Sequence, residues 1–293
     1  VERSRGLGDV YKRQPQNIYG HPQLKRDWLS VHLFIEESYQ NEFIIQYLLP
    51  FVSNLLADNQ LENFFFIKYK DNKHFIKLRL LNKSRDLSLL YRKFLEHKQI
   101  WLKESELSHY AIVDYQPEIH RYGGIQSIET IEDYFMYDSW LAINIINQAF
   151  TYPKEFIVAI TISFLLNELK ISQKEIDEMR YNNVENLYRN KDIRKYKNDL
   201  VKLTNPKDNY HYLSEKIPSL HHILYCHYHE LEKLKITLNQ ALSTPRTYII
   251  GSLIHMRCNR IFGVNRDKEK FVLSIFNEIE KTKKYWCGET ING

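Results

Sequence analysis

The run NFFFIKYKDNKHFIKLRLLN, Asn63–Asn82, decides the fold class. Its two ends, NFFFIKYK and HFIKLRLLN, are rich in aromatic and β-branched residues. Asp71-Asn72-Lys73 between them is hairpin-turn chemistry, so the run predicts two antiparallel strands. Side chains alternate across a strand, which sets Lys77 and Arg79 on one face and Ile76, Leu78 and Leu80 on the other. Two cations side by side on a strand face repel each other. Such a face wants an anion.

Upstream, WLSVHLFIE (Trp28–Glu36) reads as a strand and EFIIQYLLPFVSNLLADN (Glu42–Asn59) as an amphipathic helix, with Pro50 expected to kink it or set its first turn. Downstream, a helix is predicted from Ser84, a good N-cap, to Glu106, followed by a fourth strand in HYAIVDYQPE, His109–Glu118. The order β-α-β-β-α-β predicts an α+β fold: a ferredoxin-like split unit, four antiparallel strands under two helices, with the first and third strands central. After Gly124 the pattern is helical almost throughout, over 127–149, 153–170, 173–204, 218–242, 246–262 and 267–284, with Pro153, Pro206, Pro218 and Pro245 at the breaks. The chain thus divides into an α+β half, 15–124, and a helical half, 125–293, expected to pack as one functional unit. Sites favour such junctions.

The composition, 43% hydrophobic and 26% charged over 293 residues, is ordinary globular material and excludes disorder. The longest apolar stretch, Phe156–Leu166 counting its Ser and Thr, is far short of the roughly 20 residues of a bilayer-crossing helix, so no membrane span is expected. Cys226, Cys258 and Cys287 form neither a CxxC pair nor a disulfide framework, which fits a reducing cytoplasm. The stretch SRGLGDVYKRQ, Ser4–Gln14, can be spelled by codons including GAT GTG TAT AAG AGA CAG, which resemble a transposon-library sequencing adapter. Residues 1–14 are therefore set apart as an artefactual tail, which leaves open a natural continuation upstream of Pro15. They carry four basic and two acidic groups, so the formal charge of +5 falls to +3 without them, too little to point to DNA.

Three motifs carry candidate chemistry. PEIHRYGGI, Pro117–Ile125, holds the single adjacent pair among nine glycines. Gly123-Gly124 predicts a sharp turn with φ > 0. Glu118 and Arg121 before it read either as an ion pair fixing the strand end or as groups that the turn aims. SLIHMRCNRIFG, Ser252–Gly263, puts His255 and Asn259 one turn apart on a helix face, with Arg260 beside them. Flanked by Leu253, Ile254 and Met256, His255 also reads as a core histidine. His222, Cys226 and His229 form a helical stripe of zinc-competent types, but Leu220, Ile223, Leu224, His227, Leu231 and Leu234 claim the helix as core. One helix does not easily close a tetrahedral site and HExxH is absent, so no metal site is expected.

Taken together, WLSVHLFIE, NFFFIKYKDNKHFIKLRL, VDYQPEIHRYGGI, IEDYFMYDSW and SLIHMRCNRIFG, in this order over about residues 27–284, resemble the C-terminal elimination domain of class I lantibiotic dehydratases, also found as the thiopeptide-type bacteriocin biosynthesis domain. The resemblance implies a lyase-type enzyme. A glutamylation domain, using glutamyl-tRNA, esterifies Ser or Thr of a ribosomal precursor peptide, and the elimination domain removes the glutamate to leave dehydroalanine or dehydrobutyrine. It implies no cofactor for this domain. The implied partners are a precursor peptide with its leader and the glutamylation domain in cis or in trans, with a cyclase and a second copy of the chain as further candidates. The family's RxR strand falls on Lys77 and Arg79, its PExxRYGG motif on Glu118 and Arg121, and the histidine of its HMxxNR motif on His255. Two positions depart from the pattern. Phe75 stands where the family usually has His, and Lys77 replaces Arg, losing the planar fork that grips a carboxylate through two bonds.

β-Elimination takes an α-proton and expels the group on the β-carbon. A glutamyl ester leaves as a carboxylate, so the site needs cations rather than a strong acid. Arg79, Arg121 and Lys77 are the expected cations, each such preorganised donor worth about 10²–10³-fold. His255 is the expected base, worth roughly 10²–10⁴-fold. Glu118 is expected to orient Arg121, with contact to the adduct's ammonium as its other role. Asn259 and Arg260 are expected to bind or orient substrate, and Gly123 and Gly124 to turn the backbone. Two other readings stay open: a pyridine synthase performing a [4+2] cycloaddition on the same scaffold, against which Arg79, Arg121 and His255 speak, and a non-catalytic scaffold that binds a peptide along a sheet edge.

Overall fold

The computed structural model describes residues 26–84, 86–179, 191–226 and 228–289. Strands β1 (Trp28–Phe34), β2 (Leu61–Lys70), β3 (His74–Asn82) and β4 (His109–Ile112) form one antiparallel sheet in the order β2-β3-β1-β4. The first and third strands are central, as the element order predicts. The alternation on β3 is the expected one. Ile76, Leu78 and Leu80 are fully buried with Val31 and Leu33 of β1. They face helices α1 (Glu37–Phe43), α2 (Leu49–Ala57) and α3 (Leu87–Glu104), with Phe94 of α3 edge-on to Tyr110 of β4.

Three local expectations are corrected. The first helix starts at Glu37 rather than Glu42; a π turn, Ile44–Leu48, joins α1 to α2, and Pro50 falls in the first turn of α2, one of the two places expected for it. The wider turn makes room for the pyrrolidine ring against the preceding carbonyls. The cap of α3 is Asp86, which accepts from the Ser88 backbone N–H at 2.9 Å, while Ser84 is spent on Asn82 in the preceding turn. β4 stops at Ile112, well short of Glu118. After the Val113 N–H donates to the Ser30 carbonyl at 3.1 Å the chain leaves the ladder, and Tyr115 packs edge-on against Trp28.

The helical half comprises α4 (Ile125–Asn147), α5 (Lys154–Glu168), α6 (Gln173–Met179), α7 (Lys191–Leu203), α8 (His211–Lys216), α9 (Pro218–Tyr225), α10 (Tyr228–Leu238), α11 (Arg246–Phe262) and α12 (Arg266–Glu289). The helix predicted over 173–204 crosses residues 180–190, which lie outside the described residues. The helix predicted over 218–242 is two, α9 and α10, whose Leu220, Ile223, Leu224, Leu231 and Leu234 are all buried; His227 lies outside the described residues. The six-residue α8 is too short to leave a periodic signature.

Why the two halves join is visible at the sheet edge. β2 is an edge strand, and its unpaired backbone groups need partners once covered. Ser139 of α4 accepts from the Phe66 N–H at 3.3 Å. Asn259 of α11 accepts from the Lys68 N–H at 3.0 Å and donates to the Lys68 carbonyl at 2.8 Å. A buried ionic brace holds α11 against α4 and α5. Asp138 accepts from Arg257 at 2.7 Å and from Arg260 at 2.8 Å, and Arg257 also donates to the Thr161 carbonyl at 2.7 Å and the Tyr134 hydroxyl at 2.8 Å. The buried apolar side chains of both halves form one continuous core.

Candidate functional site

The sheet face away from α1–α3 carries the two strand cations. In the ladder Arg79 sits between Ser30 of β1 and Phe65 of β2, and Lys77 between His32 and Ile67. Arg79 is only 7% exposed. Its Nη1 donates to the Leu78 carbonyl at 3.1 Å and its guanidinium lies 5.3 Å from the centre of the Tyr115 ring. Its Nε, like the Oγ of Ser30 opposite, has no hydrogen-bond partner, and among the described residues no carboxylate lies within ion-pair distance of it. Burial pulls the Arg79 guanidinium down to about 10, with Tyr115 opposing. Burial and then the charge of Arg79 lower Lys77, against the pull of Glu118. The Lys77 ammonium rests 3.5 Å over the Tyr69 ring. Burial, Arg79 and Lys77 together hold His32 down to about 4, so it is neutral at neutral pH. Desolvated cations without a counter-ion are costly, and they are what an anion site is made of.

The PEIHRYGG turn brings the third cation. Arg121 pairs with Glu118 at 3.2 Å, and its Nε donates to Ser252 of α11 at 3.1 Å. Gly123 and Gly124 adopt φ of +95° and +112°, and the Gly124 N–H closes the turn on the Ile119 carbonyl at 2.9 Å. A Cβ at Gly123 would come within 3.0 Å of Ile249 and Leu242. The first glycine is therefore required twice, by its backbone and by its neighbours.

On α11, Ser252, His255 and Asn259 follow the i, i+3, i+7 spacing of one helix face. Ser252 holds Arg121 and Asn259 holds β2, so His255 lies on the face between those two tethers. Its Nδ1 is 2.9 Å from Glu269 Oε1 on α12, and Arg266 donates to Oε2 at 3.1 Å. A carboxylate only accepts, so in this contact Nδ1 carries a ring proton, which in the neutral ring leaves the lone pair on Nε2. Arg266 also approaches Nδ1 at 3.3 Å, but two donors make no bond there. Asn259 has both ends of its amide on β2, and Arg260 is fully buried on Asp138. Both hold α11 in place.

His32, Tyr115, Ser252 and Glu269 belong to this constellation and were not singled out from sequence. The strand period made His32 legible as a neighbour of the cation face. Nothing marked Ser252 or Glu269, because their contacts depend on how α11 meets the turn and α12. The zinc-competent stripe does not assemble. Cys226 Sγ is 3.3 Å from His222 Nε2, His229 pairs with Glu230, and no group of three or more metal-ligating side chains occurs among the described residues. A polar cavity of about 560 Å³, lined by Glu37, Asn41, Lys68, Lys154, Gly263 and Lys268 among others, contains none of the predicted site residues. No helix among the described residues is long and apolar enough to cross a membrane.

Residues 28–279 match the family profile described as lantibiotic biosynthesis dehydratase C-term. The chain is 55% identical over 274 residues to the epidermin biosynthesis protein EpiB of Staphylococcus epidermidis, covering 94% of this chain and 28% of that protein. It is 29% identical to the nisin biosynthesis protein NisB of Lactococcus lactis subsp. lactis, covering 88% of this chain and 26% of that protein. The chain thus spans about a quarter of the length of these relatives. The crystal structure of the tRNA dependent lantibiotic dehydratase MibB from Microbispora sp. 107891 shares the fold, with a TM-score of 0.71 at 19% identity over 93% of this chain and 29% of that one. TsrL resembles it more distantly, with a TM-score of 0.51 at 11% identity over 88% of this chain and 96% of that one. With its profile match running from β1 into α12, the chain belongs to the lantibiotic dehydratase C-terminal family.

Proposed function

We propose that this chain eliminates glutamate from glutamylated Ser or Thr residues of a ribosomal precursor peptide, leaving dehydroalanine or dehydrobutyrine. The observation that carries the reading is Arg79: a buried guanidinium with no carboxylate partner among the described residues, beside Lys77 and the neutral His32. Such a face suits the carboxylate that departs in the reaction. His255 Nε2, freed by the Nδ1 contact with Glu269, accepts the α-proton. The electrons of that C–H bond form the Cα–Cβ double bond. The Cβ–O bond breaks, and its pair leaves on the glutamate carboxylate, stabilised by Arg79, Lys77 and Arg121. Glu118 and Ser252 hold Arg121 from both sides, so its guanidinium needs little reorganisation when negative charge develops.

Family membership and the relatives' names, epidermin and nisin biosynthesis, support a lanthipeptide precursor with its leader as the partner. The glutamylating activity, with its glutamyl-tRNA, is assigned to a separate region or chain, consistent with the quarter-length match. The sheet layer is taken as a ferredoxin-like split unit, on the support of its β-α-β-β-α-β order and strand order. The test is turnover of a chemically glutamylated precursor peptide, followed by mass. Loss of glutamic acid is expected from the unsubstituted chain, and His255→Ala should slow it by roughly 10²–10⁴-fold. Full activity in His255→Ala would remove the base. A macrocycle mass formed from a dehydrated peptide would instead favour cycloaddition.

A further inference from the structure

His32 is the least explained polar group on the cation face. It lies on central strand β1, directly opposite Lys77 and two residues from Ser30, the partner of Arg79. Its ring is half-buried and packs against Phe75 at 4.7 Å. Among the described residues neither of its nitrogens has a hydrogen-bond partner. A structural aromatic at this place would be better served by Phe or Tyr, which carry no unpaired ring nitrogens and no charge conflict with two cations.

The groups around His32 are Lys77 and Arg79 from β3, His109 from β4 through its stack on Phe34, and Glu118 beyond β4, which acts on Lys77. Burial, and then the two cations nearest the ring, make a further positive charge unfavourable, and this keeps the imidazole a neutral donor. A neutral N–H adds a hydrogen bond to a bound carboxylate without adding to the repulsion that Lys77 and Arg79 already exert on each other when the pocket is empty. Once an anion is present, its charge offsets theirs.

We infer that His32 is a further substrate-binding residue, donating a hydrogen bond to a carboxylate of the acyl group held by Arg79 and Lys77. This rests on the elimination reading and names a contact within that site. Binding of the anion and protonation of His32 are then linked: an anion raises the affinity of the ring for a proton, and protonation raises the affinity for the anion by the same factor. Anion affinity therefore increases as pH falls from 7 toward 5.

The probe is L-glutamate, titrated against the whole chain while the imidazole carbon resonances are followed by NMR, with His32 assigned through His32→Asn. Saturating glutamate is expected to shift the His32 resonance and move its midpoint to higher pH. His32→Phe, which keeps the ring contact with Phe75, is expected to bind glutamate roughly 3- to 10-fold more weakly, the size of one hydrogen bond. It should also lose the strengthening toward pH 5, and His32→Asn, which retains a neutral donor, should recover most of the affinity at pH 7. If the His32 signal ignores glutamate, or His32→Phe binds as tightly as the unsubstituted chain while Arg79→Met does not bind, the inference falls and the elimination reading stands. If glutamate binds equally to the unsubstituted chain and Arg79→Met, or to neither, the elimination reading itself falls.

Discussion

Replacing Arg79 by methionine separates stability from function. Met fills a similar volume without charge. In the folded chain burial pulls the guanidinium down to about 10. At about 1.4 kcal/mol per unit, that corresponds to roughly 3 kcal/mol held against the folded state. The sign follows from linkage. A cation whose folded value is lowered releases its proton earlier in the folded chain, so the penalty is relieved only as pH rises through about 10 and beyond, and is fully present at pH 7. Arg79→Met should therefore unfold at higher denaturant, by about 1–3 kcal/mol, the range seen when buried charges give way to apolar groups. The assay is urea unfolding at pH 7, with and without L-glutamate. Glutamate should stabilise the unsubstituted chain in proportion to RT ln(1 + [L]/Kd) and leave the variant unchanged, and the variant should lose elimination. If Arg79→Met is destabilised by more than about 1 kcal/mol, the guanidinium is a structural brace and the anion-site reasoning is refuted.

Asp138→Asn removes the shared acceptor of Arg257 and Arg260, leaving two buried guanidinium groups short of charge, and should cost about 3–5 kcal/mol in denaturant unfolding. Glu269→Gln keeps the shape beside His255 but not the charge that fixes the ring; elimination should fall by at least about 10²-fold with little change in melting temperature, and unchanged turnover would detach Glu269 from the base. Burial lifts Glu132 to about 7, with Tyr115 and Arg26 opposing. The unfolded chain releases this proton near 4.5 and the folded chain only near 7, so stability should fall by about 3 kcal/mol as pH rises between them. In Glu132→Gln that slope should vanish, which a series of urea titrations from pH 4.5 to 7.5 would show.

How much was legible differs by element. The hairpin, the two central strands and the 246–262 helix could be read directly, because alternation and 3.6-residue spacing are local consequences of backbone geometry. So could the shared face of Lys77 and Arg79 and the turn at Gly123-Gly124. The π turn before Pro50 and the early end of β4 could not, since they answer to packing and to the chain's departure toward Tyr115. Roles were least legible where one residue type serves two purposes. Asn259 and Arg260 sit in the same motif as His255, yet the Asn259 amide is spent on β2 and Arg260 is buried in its ion pair with Asp138. Sequence alone determined which side chains could carry charge and which way the strands would face them. Only the tertiary structure decided which charges are balanced: Arg257 and Arg260 meet a buried carboxylate brought from more than a hundred residues away, and Arg79 meets none among the described residues. A salt bridge within the core depends on distance through space, and no pattern along the chain encodes that distance.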